Sequence, residues 1–425
     1  MNFSTLPNLI ALAILVVVFW AISRKAVGEQ VHLWLLGWAL VLVHFAAQFT
    51  STASGTWGVV ATSISLDSLI LASVAFLISV SAIASSRRRK LYLAAAIAIP
   101  ALAYTNGAIL GNVPRNYYYV CAAIGLLAPL LLLWRYNQQS SFYAAGATVA
   151  ASVASGVAVW GVARGVPELG ITVILAALNF AIAVLYWNHH KRVTAGVLTA
   201  VSGFVLWGAV FPAAALLQVF ASSVRVESEV WNIPKYLVAV GMILTLLEDQ
   251  IERSTYLAYH DELTELPNRR LLEDRLDQAL AQASRARSKV GVFVLDLDHF
   301  KEVNDTFGHR VGDIALREVV ARLGSRIRAS DTMARSGGDE FTIISQVENV
   351  EGARSLQSAL ESALSDPIVV EGKQVRTGLS IGLALYPDDG SGPDQLRAAA
   401  DRAMYAAKRA SRPPDAVGAM HHNSF

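Results

Sequence analysis

Runs of about twenty apolar residues recur through the first 247 positions, and they restrict the fold more than any other feature. About nine are readable, near 7–23, 30–49, 58–84, 91–106, 117–134, 142–163, 168–187, 194–220 and 231–247. Each is close to the ~20 residues that carry a helix across hydrocarbon. A backbone there must satisfy its own hydrogen bonds, so a bundle of spanning helices is expected. The chain of 425 residues is 54% apolar, above the soluble norm, and its charges are unevenly placed. Residues 1–247 carry 13 Lys and Arg against 5 Asp and Glu, a net of +8, and the remainder has a net of −6. A membrane region is therefore expected first and a mildly acidic soluble domain second. Nucleic acid is not an expected partner of that acidic domain. The one cysteine, Cys121, rules out an internal disulfide and a cysteine zinc site.

Basic side chains set the orientation. Arg24-Lys25, Arg87-Arg88-Arg89-Lys90, Arg135 and Lys191-Arg192 fall in alternate loops. The loops between hold none at 50–57, then Arg115, Arg164 and Arg225. The N-terminus is expected outside and the second domain in the cytoplasm. The first run has no Lys or Arg ahead of it, unlike a cleaved leader. Asp67 lies inside the third run and His44 inside the second, joined by a short loop, so the two are expected to be able to face one another. Pro100, Pro129 and Pro212 predict kinks, and the small residues of Ala144–Ala158 suit close helix packing. A multi-span region ahead of such a soluble domain resembles a membrane-embedded sensor, with a transporter or a plain anchor as the alternatives; no clear internal repeat of the transporter kind is visible.

The last run continues without Pro or Gly into a helical connector at 248–260. Leu244, Leu247, Ile251 and Ser254 are spaced for one heptad of a parallel helix pair, and equally for a plain amphipathic stem.

Beyond the connector, charged motifs replace apolar runs. Asp261-Glu262-Leu263-Thr264-Glu265-Leu266-Pro267-Asn268-Arg269 opens the domain. A helix is expected to about Arg287, then Val290–Leu295 as a buried strand ending in Asp296-Leu297-Asp298. His299, Phe300, Lys301, Asn304, Asp305, Gly308, His309, Gly312 and Asp313 follow, then a helix to about Arg328. Arg328 and Asp331 precede a hairpin with strands Thr332–Arg335 and Phe341–Ser345. Its turn holds Gly337-Gly338-Asp339-Glu340, where adjacent glycines suit φ > 0. A helix at 350–364, one strand over Val375–Tyr386 and a helix at 393–411 complete the domain.

These motifs resemble, in order, the DxLTGLPNR, DxDxFKxxND…GHxxGD, RxxD, GGDEF and AKxxGRN blocks of the GGDEF family of bacterial diguanylate cyclases. The resemblance covers residues 256–412. Glu265 stands where the family has glycine, and Ser411 and Pro413 depart from its last block. It implies a palm-like, adenylyl-cyclase-like βαββαβ domain after a polytopic α-helical membrane region. The implied reaction condenses two GTP into cyclic di-GMP with loss of pyrophosphate, and needs a homodimer because each domain binds one GTP.

The resemblance also implies roles. Asp296, the Leu297 carbonyl, Asp339 and Glu340 would hold two Mg²⁺, and Asp339, Glu340 and Lys301 would be catalytic. His299, Phe300 and Lys301 would lie along the phosphates, Asn304 and Asp313 would read guanine, and Lys408 and Arg412 would hold the terminal phosphate. Arg328 and Asp331 would form an inhibitory product site. The alternative is an inactive receptor that binds cyclic di-GMP through that pair. No second catalytic domain is expected after 412, and 413–425 reads as a disordered tail. The expected location is the bacterial inner membrane.

A reporter fused after Arg253 should be active in the cytoplasm, and one fused within 50–57 outside. The reverse pattern overturns the orientation.

Overall fold

The computed structural model describes residues 6–24, 28–51, 55–81, 86–136, 141–220 and 228–410. Lys25, Arg225, Arg412 and the tail at 413–425 lie outside the described residues, as do the side chains of Pro129, Arg135 and Ala144–Thr148. The chain divides into two compact units, Met1–Ile251 and Glu252–Phe425.

The first unit is helical: α1 (Leu6–Ser23), α2 (Glu29–Thr50), α3 (Thr56–Ser79), α4 (Arg87–Leu110), α5 (Arg115–Tyr136), α6 (Ser141–Ala163), α7 (Glu168–His190), α8 (Ala195–Phe220) and α9 (Ser228–Tyr259). Among the described residues, seven helices are long and apolar enough to cross a membrane by length and composition. Their outward faces carry large apolar side chains such as Ile14, Val17, Leu91 and Ile99, each more than half exposed. Lipid would cover such faces at no cost. The interior is aromatic: Trp34, Trp38, Phe76, Tyr186, Phe204 and Trp207 are almost fully buried. Small residues let backbones meet. A Cβ on Gly241 of α9 would lie 2.2 Å from the Ala200 nitrogen of α8. Helices α4 and α8 run on through Pro100 and Pro212.

Asp67 and His44 do not pair. His44 Nδ1 lies 2.9 Å from both the carbonyl and the hydroxyl oxygen of Ser65. Asp67 instead accepts from Asn106 Nδ2 of α4 at 2.9 and 3.0 Å. Ser65 and Asp67 are two apart on α3, and such positions point to different neighbours.

The second unit is built on a sheet. Its elements are α10 (Arg269–Ala286), β1 (Lys289–Asp298), α11 (Phe300–Phe307), α12 (His309–Gly324), β2 (Thr332–Arg335), β3 (Glu340–Val347), α13 (Val350–Ala363), β4 (Ile368–Val370), β5 (Lys373–Val375), β6 (Gly378–Tyr386) and α14 (Pro393–Ala410). The main sheet has the order β2-β3-β1-β6, and each neighbouring pair is antiparallel. Strand β1 alternates cleanly. Val290, Val292 and Val294 pack towards α10 and α14, while Phe293, Leu295 and Leu297 pack towards α11, α12 and α13. A strand covered on both faces is what its unbroken apolar run requires.

Two expectations change. The strand expected over Val375–Tyr386 is divided at Arg376-Thr377, and Val375 belongs to a separate hairpin of β4 and β5. That hairpin turns on Glu371 and Gly372, with φ of 51° and 79°, the geometry of a two-residue loop with both residues left-handed. Strand β1 also continues through Asp298, because β6 pairs with it as far as Gly378. Asp296 therefore lies within the strand.

Gly382 of β6 touches α14: an added Cβ would sit 2.0 Å from the Ala400 carbonyl and 2.3 Å from the Met404 nitrogen. Backbone atoms cannot give way as side chains do, so Gly382→Ala should destabilise by at least ~1–3 kcal/mol. Gly338→Ala, with nothing within 4 Å of the new atom, should change stability by under ~0.5 kcal/mol. Thermal unfolding of the two variants checks this, and equal midpoints would refute the close contact.

Candidate active site

The hairpin between β2 and β3 is closed by a four-residue loop, Ser336–Asp339. Ser336 N–H donates to the Glu340 carbonyl at 2.9 Å, and the Ser336 and Thr342 hydroxyls bond at 2.9 Å. Neither Gly337 nor Gly338 takes a positive φ, contrary to expectation. The longer loop removes the need for left-handed residues. Gly338 serves instead through its carbonyl, which accepts Arg335 Nε at 3.1 Å and Nη2 at 2.6 Å.

Arg335 also ties the turn to the opening motif. Its Nη1 donates to Asp261 Oδ1 at 2.8 Å, and that oxygen also accepts Thr264 N–H at 2.9 Å and the Thr264 hydroxyl at 2.6 Å. The backbone repeats the link, since Arg335 N–H donates to the Pro267 carbonyl at 2.9 Å. Asn268 caps α10, accepting from the N–H groups of Arg270 and Leu271 at 3.0 and 3.2 Å. Glu265 sits at φ 58°, a left-handed position that explains a glycine preference and costs a side chain ~1–2 kcal/mol. Sequence reasoning gave Arg335 and Asp261 no role. The signal was a basic residue beside the turn and a carboxylate in the opening motif, but nothing local joins residues this far apart.

The strand pairing sets Asp296 opposite Glu340 on one side and Ser380 on the other. Leu297 N–H donates to the Asp339 carbonyl at 3.2 Å, so β1 and the hairpin meet here. Asp296 is buried and shares the face of Val290–Val294, which α14 covers. Lys408 of α14 reaches it and forms a hydrogen-bonded ion pair with Oδ1. Lys408 thus lies at the carboxylate expected to hold metal. Arg412 lies outside the described residues. Asp298 accepts from the Ser380 hydroxyl at 2.7 Å.

A cavity of about 270 Å³ opens beside the hairpin, lined by Phe300, Lys301, Asn304, Asp313, Arg335 and Asp339 among others. Phe300 is a core side chain, so only its backbone, at the start of α11, faces outward chemistry. His299 holds a left-handed φ of 60° ahead of that helix, and its Nδ1 is 2.7 Å from Glu302 Oε1. Helix starts present N–H groups without intrahelical acceptors, which suits phosphate oxygens. Asn304 Oδ1 would lie 1.9 Å from a Cβ on Gly312, so the glycine leaves the amide its place next to Asp313. A larger cavity of about 600 Å³ lies on the other side of Arg335, between Asn268–Arg270, Glu273 and Ser336–Gly338. The smaller one gathers four of the expected site residues, Lys301, Asn304, Asp313 and Asp339.

Among the described residues, no three Asp, Glu, His or Cys side chains gather as a ready metal cluster. The donors nonetheless suit Mg²⁺. Asp296, Leu297, Asp339 and Glu340 offer oxygen only, and Asp296 already carries a cationic partner in Lys408. Arg328 and Asp331 lie apart from the cavity. Arg328 N–H donates to Asp331 Oδ2 at 2.8 Å and Asp331 N–H to the Arg328 carbonyl at 3.0 Å, a closed turn that leaves the Arg328 side chain exposed.

The second unit is thus an α/β domain with an antiparallel βαββαβ sheet and an acidic hairpin beside an amide–carboxylate cavity. Residues 258–413 match the family described as diguanylate cyclase, GGDEF domain, so the chain carries a GGDEF domain. The bifunctional diguanylate cyclase/cyclic di-GMP phosphodiesterase MucR of Pseudomonas aeruginosa is 41% identical over 190 residues, 41% of this chain and 28% of MucR. The diguanylate cyclase TpbB of the same organism is 41% identical over 169 residues, 39% of each chain. The crystal structure of the GGDEF domain of DgcB from Caulobacter crescentus in complex with c-di-GMP is 32% identical, covering 36% of this chain and 92% of that one, with a TM-score of 0.34. The chain thus spans under half the length of MucR and TpbB.

Burial works against ionisation of Asp261, but the hydrogen bonds from Thr264 and Arg335 outweigh it and hold the carboxyl below its usual range. A lowered carboxyl stabilises the fold above its unfolded pKa, about 3.9, and loses that contribution as pH falls through the folded value. Parent and Asp261→Asn should therefore differ in thermal midpoint by a constant amount above about pH 5, with the gap closing below about pH 4. A gap that persists undiminished at pH 3 would remove the charge from the explanation.

Proposed function

We propose that this protein is a membrane-anchored diguanylate cyclase. The observation that carries the reading is one cavity holding Lys301, Asn304, Asp313 and Asp339 within the family segment. An amide beside a carboxylate can accept from and donate to the guanine edge. Lys301 and the start of α11 suit the phosphates. Asp296, Leu297, Asp339 and Glu340 would hold Mg²⁺, which supplies charge neutralisation at the phosphate oxygens. Asp296 has Lys408 as its counter-charge, so the lysine is near enough to exchange that partner for a phosphate.

In the reaction, the 3′-oxygen of each GTP bonds to the α-phosphorus of the other, and two pyrophosphates leave. Glu340 and Asp339 position the attacking hydroxyl. Two domains must face each other, which makes a homodimer the active form. The basic loops of the first unit support an inner-membrane anchor with the domain in the cytoplasm, and that unit acts as the sensor. Arg328 and Asp331 serve product inhibition. The exposed Arg328 side chain is free to take a phosphate or guanine, as a bidentate donor does. The retained hairpin acids favour an enzyme over a receptor.

One experiment tests these assignments. The full-length protein in detergent is incubated with GTP and Mg²⁺, and products are followed by chromatography. The parent should form cyclic di-GMP, Asp339→Ala at least ~10²-fold less while still folded, in keeping with loss of an electrostatic catalytic group. Arg328→Ala should start at the parental rate and reach a higher final yield. No product from the parent would refute the cyclase; identical plateaus in parent and Arg328→Ala would refute product inhibition alone.

A further inference from the structure

Lys235 of α9 is buried, 9% exposed, against aromatic side chains of the first unit. It stands seven residues after the helix begins at Ser228, roughly 10 Å along the axis. Its Nζ donates to Asn232 Oδ1 at 2.7 Å. The same nitrogen lies 4.6 Å from the ring centre of Phe45 and 5.9 Å from that of Trp207. His44 packs edge-on against Phe45, with ring centres 5.0 Å apart. Among the described residues no carboxylate pairs with Lys235.

Two ring faces and one amide oxygen return only part of the hydration that an ammonium loses on burial. The surroundings have donors to spare. Trp207, 1% exposed, has an indole Nε1–H without an acceptor. At the same end of the unit, Asn8 of α1 accepts from the Tyr236 hydroxyl at 2.8 Å, while its own buried Nδ2 has no acceptor. A site with a caged cation, unused N–H groups and, among the described residues, no acid is complementary to an anion. An apolar side chain would fill the same space without the desolvation, so stability alone does not account for the lysine.

We propose that this cage binds an oxyanion, a carboxylate or phosphate group that pairs with Lys235 Nζ and accepts from the Trp207 indole N–H. The ligand is either a free small anion or the headgroup of an anionic lipid. Because Lys235 lies on α9, the ligand would act on the helix that continues to Tyr259.

The test uses the full-length protein in nanodiscs of phosphatidylcholine, with thermal unfolding of the first unit as the readout. Sodium acetate, butyrate and phosphate are titrated against sodium chloride at matched ionic strength, and a parallel set of nanodiscs contains phosphatidylglycerol. A saturable rise on the order of 5 °C is expected in the parent. A rise with a soluble anion identifies a free ligand, and a rise only with phosphatidylglycerol identifies a lipid. Lys235→Met should abolish the response and, without anion, unfold at a higher temperature than the parent. Trp207→Phe, which keeps the ring and removes the N–H, should weaken half-saturation about fivefold, and serves alone if Lys235→Met does not fold. No anion-dependent rise in the parent in any arm overturns the proposal. So does a response in Lys235→Met, or an unaltered half-saturation in Trp207→Phe, equal to the parent's.

Discussion

The pairing of β1 with β3 on one side and β6 on the other is the constraint on which the second unit depends. It brings Asp296 opposite Glu340 and Ser380, and it lets the Leu297 N–H reach the Asp339 carbonyl. Register is strict because side chains alternate: a slip of one residue would turn Val290, Val292 and Val294 into the wrong layer and carry Asp296 away from Lys408. The apolar faces of β1 thus hold the acidic positions in place. Core packing and site geometry are one arrangement here.

The hairpin is held from a distance. Arg335 fastens the Gly338 carbonyl to Asp261, and the backbone link to Pro267 adds a second tie. The opening motif, read along the chain, looks like a domain start and a helix cap. In three dimensions it is also the far anchor of the acidic turn. Tied in this way, the turn holds Asp339 at the cavity that Arg335 also lines.

The membrane-type unit shows a different economy. Its helices meet through glycines and small residues, while a buried aromatic interior surrounds isolated polar side chains. Among these, Ser65 takes His44 and Asn106 takes Asp67, so both of these titratable groups find a partner on a neighbouring helix. Lys235 is matched by aromatic faces and an amide instead of an acid.

Much was legible in the sequence because it rests on local or periodic signals. Apolar length marked the helices of the first unit, an unbroken Val-rich run marked β1, and the Asn304…Asp313 block fell at one cavity as the family pattern implied. Only tertiary structure could decide what depends on distant partners. It separated Asp67 from His44, since neighbours across helices are set by rotation about each axis. It cut the strand at Arg376-Thr377, because Val375 pairs with Ile368 and not with the main sheet. It gave Lys408 to Asp296 and Arg335 to Asp261, pairings over 112 and 74 positions that no spacing announces. The sequence alone determined most of the segments that become helix or strand and the order of the motifs that carry the family resemblance. The folded chain decided which charges touch, because contact depends on register and helix rotation, which are properties of packing.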